Sequence, residues 1–375
     1  MRGVKVASAA LGLIMGVLAS APAKAWQPGP VDALAVLPFA SGSVEGLTVG
    51  PDGNIYVPTF CFNADGPVSG KNALLFVISP DGNIVRKVTI ANSSPHILGL
   101  AFNPRNGFLL VLDFGASRVL HVDPNSGASS VFMTLPGTFA NSAGLNALTF
   151  DKNGNVYVSD SFNGAIWTTG PTGGVATAWK IDPLLGNGGS CGASGPCLTP
   201  PFGANGVEFN TAGTTLFVAN TAFHQIIQIP VNSDGSAGTA SIFITGINAP
   251  DGIAIDRNDN IWICANQEDE IVVIDKTGKV NAKLGDFRGI DQNGIASGFL
   301  FPASLAFSKD GSTLYVSNLT LYLPFAGVPN KAIDSAWTLQ VKGGYTVSKL
   351  PAQILSSQND QGNNQGNNQG NNQQN

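Results

Sequence analysis

One short phrase, repeated six times, limits what this chain can fold into more than any other feature. It reads polar or small residue, glycine or another small residue, aliphatic, any residue, then aliphatic or phenylalanine. The instances are Glu45-Gly46-Leu47-Thr48-Val49, Leu98-Gly99-Leu100-Ala101-Phe102, Asn146-Ala147-Leu148-Thr149-Phe150, Asn205-Gly206-Val207-Glu208-Phe209, Asp251-Gly252-Ile253-Ala254-Ile255 and Ala303-Ser304-Leu305-Ala306-Phe307. Each runs into a hairpin turn such as Pro51-Asp52-Gly53-Asn54 or Lys152-Asn153-Gly154-Asn155, where glycine supplies the positive φ that the turn requires. A second strand follows, as in Ile55-Tyr56-Val57 or Ile261-Trp262-Ile263, then a third and a fourth.

The phrases begin 53, 48, 59, 46 and 52 residues apart, which is room for four strands per unit. One twisted four-stranded sheet cannot bury both of its faces, but six of them packed around an axis can. The predicted fold is all-β, a six-bladed β-propeller of four-stranded antiparallel blades spanning residues 26–355. The ring must close, and Ala33-Leu34-Ala35-Val36-Leu37-Pro38-Phe39 can complete the last blade beside Trp337 to Val341 and Tyr345 to Leu350. Which terminus supplies the closing strand stays open. Tyr56, Tyr157, Phe217, Trp262 and Tyr315 hold equivalent second-strand positions and are expected in the core between blades.

The two ends lie outside this pattern. Arg2 and Lys5 precede an apolar run from Val6 to Leu18, and Ala21-Pro22-Ala23 and Ala23-Lys24-Ala25 offer cleavage sites, so residues 1–25 read as a secretory signal peptide. The run is too short for a spanning helix, which needs about 20 apolar residues. The mature chain is expected in the periplasm or outside the cell, as a monomer beginning near Trp26. Residues 356–375 are Gly, Asn and Gln with nothing apolar to bury, as expected of a disordered tail.

Only 11% of residues are charged and the formal net charge is -5, so no basic field exists to hold nucleic acid or an anionic membrane. A small-molecule substrate or ligand is the expected partner. Of four cysteines, Cys191 and Cys197 sit six apart in a Gly-rich stretch, where a local bridge is expected in an oxidising compartment. Cys61 and Cys264 are left unassigned, Cys264 falling within a strand pattern that suits a buried thiol.

In antiparallel blades the start of the first strand lies beside the end of the second. The residues opening the six phrases therefore share one mouth of the central channel. They are Glu45, Leu98, Asn146, Asn205, Asp251 and Ala303, four of which carry oxygen donors. Two carboxylates and two carboxamides make a hard-oxygen cage suited to Ca²⁺ or another divalent cation, at oxygen distances of about 2.3–2.6 Å. The lack of Cys or His in the set disfavours zinc and copper. Asn and Asp also open strands by capping local turns. Four of them in one register favour the cage.

On these residues the chain resembles the superfamily of senescence marker protein, gluconolactonase and diisopropyl-fluorophosphatase, six-bladed propellers with a divalent cation in the channel. Glu45-Gly46, Asn205-Gly206 and Pro250-Asp251-Gly252 look like that family's Glu, Asn and Asp ligands in the family's order. Asn146 resembles the third-blade Asn, which ligates the metal in the phosphatase branch and contacts water or substrate in the lactonase branch. Many relatives have Asp after that Asn where this chain has Ala147, so part of the polar chemistry of that loop is missing. Val158-Ser159-Asp160 and Val218-Ala219-Asn220 also look like NHL repeats, which are propellers used for binding.

The resemblance implies a metal-dependent hydrolase of the lactonase or phosphotriesterase type, with Glu45, Asn146, Asn205 and Asp251 around the ion and Asp251 as nucleophile or as base on a water. His96 and His224 are the candidate proton carriers, although each fits an ordinary loop residue. His121, in a third strand, has no expected role. Loops Pro58 to Asn72 and Asp182 to Ala204 would form a lid, and Phe60, Phe62, Phe162, Phe202 and Phe223 would line an apolar pocket beneath it. Phosphate-loop and His-Glu-x-x-His motifs do not occur. The alternatives to an enzyme are a non-catalytic NHL-like propeller that binds a ligand or protein on its loop face, and an envelope scaffold attached through the Gln/Asn tail.

Overall fold

The computed structural model describes residues 30–61, 71–188, 201–320 and 341–352. The expected signal peptide, the Cys191–Cys197 bridge, Phe62, most of the two lid loops, all of the Trp337 to Val341 strand but its last residue, and the tail lie outside the described residues.

The first blade comprises Thr48–Val49, Ile55–Phe60, Leu74–Ile78 and Ile84–Thr89, with Ser43–Val44 extending its inner edge. The second is Ile97–Phe102, Leu109–Asp113, Arg118–Val122 and Ser129–Thr134, and the third is Leu145–Phe150, Val156–Asp160, Ala165–Thr169 and Thr177–Ile181. The fourth is Ala204–Phe209, Thr215–Asn220, Gln225–Pro230 and Ser241–Thr245, and the fifth is Pro250–Ile255, Ile261–Ala265, Glu270–Ile274 and Val280–Leu284. The sixth joins Pro302–Phe307, Thr313–Asn318 and Tyr345–Pro351 to Asp32–Leu37. The N-terminal strand is thus the outermost strand of the last blade, antiparallel to the C-terminal one, and both ends of the chain close the ring. First strands contact one another in sequence around the axis, the sixth meeting the first.

The repeated phrase has two physical causes. The first is a register shift between first and second strands, which falls between Ile97 and Leu100, Leu145 and Leu148, Ala204 and Val207, Pro250 and Ile253, and Pro302 and Ser304. In the first blade the pairing is interrupted over Glu45, Gly46 and Leu47, between Val44 and Thr48. The opening residue of every phrase therefore sits on a β-bulge, which bends the strand and re-aims its side chain. The second cause is close approach between blades. A methyl group at Gly252 would come within 2.5 Å of the Ala303 carbonyl oxygen, and one at Gly99 within 2.8 Å of the Asn146 carbonyl oxygen. Only glycine or a small residue fits where one inner strand abuts the next.

The core lies between blades, as the aromatic positions predict. Tyr56 packs edge-on against Phe102 of the next blade at 5.0 Å, Tyr157 against Phe209 at 4.9 Å, and Trp262 against Phe307 at 5.5 Å. A second-strand aromatic thus meets the phenylalanine that ends the neighbouring phrase, an offset geometry favourable for ring quadrupoles.

Candidate metal centre at the channel mouth

The bulges bring the four oxygen-bearing residues to one end of the channel, and all four are buried: Glu45 and Asp251 are 6% exposed, Asn146 and Asn205 4%. Leu98 and Ala303 fill the other two opening positions. Glu45 and Asp251 are close enough for their charges to interact, and the Asn205 amide favours the charged form of Asp251.

Residues just past the second strands orient these side chains, and sequence reasoning missed them. Asn205 Nδ2 donates to Thr221 Oγ at 3.0 Å, and the Thr221 hydroxyl donates to the Pro250 carbonyl at 2.8 Å, one residue before Asp251. One blade earlier, Asn146 Nδ2 lies 3.4 Å from Ser161 Oγ, whose hydroxyl donates to the Ala204 carbonyl at 2.7 Å, one residue before Asn205. One blade later, Asn266 Nδ2 donates to Asp251 Oδ2 at 3.1 Å and to the Pro302 carbonyl at 3.2 Å. Gln267 Nε2 in turn donates to Asn266 Oδ1 at 2.9 Å. Each connector ties the opening side chain of its own blade to the backbone that positions the next. Ser161, Thr221 and Asn266 follow Asp160, Asn220 and Ala265, which pair equivalently across their blades, so the fold puts all three connectors in one register.

With their amide nitrogens and one carboxylate oxygen engaged, the remaining oxygens are left over. Asn146 Oδ1 and Asp251 Oδ1 are buried without a hydrogen-bond partner among the described residues. Burial raises the Glu45 carboxyl well above the ordinary range, and the Asp251 charge raises it further. Asp251 is raised by burial as well, with hydrogen bonds from Asn205 and Asn266 pulling the other way. Two buried carboxyls that repel each other, beside orphaned oxygens, fit a hard divalent cation that would satisfy both deficits. Among the described residues no group of three or more His, Cys, Asp or Glu could hold a metal ion. A site here draws half of its donors from asparagine.

The histidines take other places. His224 adopts positive φ, and its Nδ1 accepts a hydrogen bond from the Ala249 N–H at 2.9 Å, two residues before Asp251. Burial lowers its pKa, so its neutral form carries the proton on Nε2. His96 pairs with Phe60 through an isolated bridge and packs against its ring at 5.8 Å; burial lowers its pKa too. Neither histidine is hydrogen-bonded to Glu45 or Asp251 among the described residues. His121 stacks on Phe108 at 4.0 Å, in keeping with its lack of an assigned role. Cys264 is a free, fully buried thiol raised by burial and then by Asp251 and Glu45, so it stays protonated; Cys61 Sγ lies 3.6 Å from the Ser41 carbonyl oxygen. Phe60, Phe162, Phe202 and Phe223 lie on the mouth face, and Phe114, not anticipated, joins them.

The other mouth of the channel is different. A cavity of about 1320 Å³ opens there, lined by the far ends of the first strands and by the hairpin turns, and the four opening donors do not line it. Glu208 lines it, with Oε1 accepting from the Thr149 hydroxyl at 2.8 Å and the Phe209 N–H at 3.0 Å. The orphaned oxygens of Asn146 and Asp251 lie at the opposite, donor mouth.

Comparison with known proteins agrees with this fold. The family model described as SMP-30/Gluconolactonase/LRE-like region matches residues 86–285. Lactonase drp35 of Staphylococcus epidermidis is 25% identical over 239 residues, covering 51% of this chain and 70% of that protein. Among solved structures, a gluconolactonase from Xanthomonas campestris matches with TM-score 0.56 and 14% identity, covering 86% of this chain and 96% of that one. A calcium-binding regucalcin from Agrobacterium tumefaciens matches with TM-score 0.56 and 17% identity, covering 85% and 95%. At such identities the structural matches speak for the fold.

Proposed function

This chain belongs to the SMP-30/gluconolactonase/LRE-like family, and from that premise we propose that it is an exported, calcium-dependent hydrolase of small lactones or esters, working at the donor mouth of the channel. One observation carries the proposal: two buried carboxyls and the orphaned oxygens of Asn146 and Asp251 share that mouth, with Asn146 and Asp251 held by connectors from their own blades. The names lactonase and gluconolactonase among its relatives support the lactone class.

Glu45, Asn146, Asn205 and Asp251 would hold the ion, and the bound ion would supply Lewis acidity toward a carbonyl oxygen. Asp251 Oδ2 is fixed by Asn266 Nδ2, which leaves Oδ1 as its uncommitted oxygen. In the net reaction water adds to the carbonyl carbon, the ring C–O bond breaks, and the ring oxygen takes a proton and leaves as a hydroxyl. Asp251 Oδ1 is the atom suited to accept the proton from that water. His224 has Nδ1 occupied and offers only Nε2 for transfer.

The test uses protein from the periplasmic or secreted fraction, whose mass should place the N-terminus near Trp26. Assayed on lactones and aryl esters with and without chelator, it should hydrolyse at least one in a calcium-dependent way. Asp251→Asn should reduce turnover by roughly 10³-fold or more while keeping the fold. An Asp251→Asn rate equal to wild type would remove Asp251 from the mechanism. Calcium binding without turnover of any substrate would favour the non-catalytic, ligand-binding propeller.

A further inference from the structure

Beside the donor mouth, phenylalanines from four consecutive blades touch in a continuous arc. Phe60 meets Phe114 with ring centroids 6.2 Å apart, Phe114 meets Phe162 at 5.7 Å, and Phe162 meets Phe202 at 6.0 Å in a stacked arrangement. The arc is fastened to the site. Phe162 directly follows Ser161, the connector of Asn146, and Phe202 precedes Asn205 by three residues. Phe162 is 44% exposed and Phe223, two residues after the connector Thr221, is 39% exposed. Large apolar rings are rarely left in water next to a binding mouth unless something apolar covers them.

Three polar side chains beside the arc, Asp160, Asn220 and Asp113, are already committed. Asp160 accepts from the backbone N–H groups of Gly144, Phe162 and Asn163 and from Trp167 Nε1. Asn220 Nδ2 donates to the Leu184 and Gly186 carbonyls, and its Oδ1 accepts from Phe223 N–H. Asp113 is paired with Arg118 at 3.0 Å. The hydroxyls of a sugar lactone lying along this arc would displace water and find phenyl faces instead of partners, an unfavourable exchange.

We propose that the arc is a subsite for an apolar substituent, and that the chain prefers lactones carrying an extended alkyl or aryl side chain over polyhydroxylated sugar lactones. This inference rests on the hydrolase reading above for the lactone ring itself. The arc runs from the first blade to the fourth, so the substituent lies over Phe114 and Phe162 at its middle.

Binding and turnover are measured separately. Calorimetric titration of the calcium-loaded protein with non-hydrolysable δ-lactams of increasing alkyl length should show affinity rising about three- to fourfold per methylene over the first few carbons. In Phe162→Ser the ratio of pentyl-substituted to unsubstituted lactam affinity should fall about tenfold. Phe108→Ser, an exposed ring stacked on His121 and outside the arc, should leave the ratio as in wild type. Affinity that does not depend on chain length, or a ratio unaltered by Phe162→Ser, would overturn the subsite. Hydrolysis of the matching lactones distinguishes the two proposals. Chain-length-dependent lactam binding with no lactone hydrolysis would sink the hydrolase and keep the arc, and hydrolysis with flat lactam affinities would do the reverse.

Discussion

At the residue scale, the site depends on which atom of each amide faces the axis. Thr221 fixes Asn205 by accepting its Nδ2 hydrogen, and it fixes the Asp251 strand by donating to the Pro250 carbonyl. Thr221→Val keeps the shape and branching and removes both bonds. It should cost about 1–2 kcal/mol of stability, and it should weaken calcium binding about tenfold through misaligned donors, read by calorimetric titration. Wild-type affinity in that variant would make Thr221 merely a strand-end residue. The opening donors were legible in the sequence because a fixed register exposes them: Glu45, Asn146, Asn205 and Asp251 recur at one position of a repeat. Their connectors were not. A Ser or Thr after a strand has many local uses, and only the fold brings the Ser161 and Thr221 hydroxyls to the carbonyls of the next blade.

At the element scale, each blade depends on a bulge and a small residue in its inner strand. Gly252 abuts Ala303 and Ser304 of the sixth blade, and a methyl group there would lie 2.5 Å from the Ala303 carbonyl oxygen and 2.9 Å from the Ser304 Cα. Both are backbone atoms and cannot swing aside. Gly252→Ala should therefore cost about 2–3 kcal/mol in chemical denaturation, against less than about 1 kcal/mol for a strand glycine with open space around it. A neutral result would mean that the inner strands slide more freely than this packing allows. Strand order, the four-strand unit and the aromatic inter-blade core were readable because alternation and turn glycines encode them locally. The loops were less so: His96 and His224, singled out as proton carriers, are packed against Phe60 and bonded to Ala249 N–H, environments that depend on neighbouring blades.

At the scale of the whole molecule, the closing strand was the one topological question left by the repeat, since both termini carry strand patterns. Asp32–Leu37 pairs with Tyr345–Pro351, so the first and last described strands are held together in one blade. The channel they close also holds Glu208, whose carboxyl burial pushes up to about 7 from an ordinary value of 4.5. The folded state then keeps a proton that the unfolded chain has released, so this contribution to stability is full below about pH 4.5 and is lost as pH rises through about 7. The shift corresponds to at most about 3 kcal/mol, reduced to about 1–2 kcal/mol because the carboxyl lines an open cavity. Glu208→Gln, which retains an acceptor for Thr149 and Phe209, should gain on wild type by that amount between pH 5 and pH 8 in urea unfolding; a constant difference would contradict it. The measurement that bears most directly on the whole account is calcium titration of the purified chain by calorimetry. We expect one ion per chain, bound at the mouth and lost in both Glu45→Gln and Asp251→Asn. No binding, or binding that survives both substitutions, would contradict a cation held by donors from four blades.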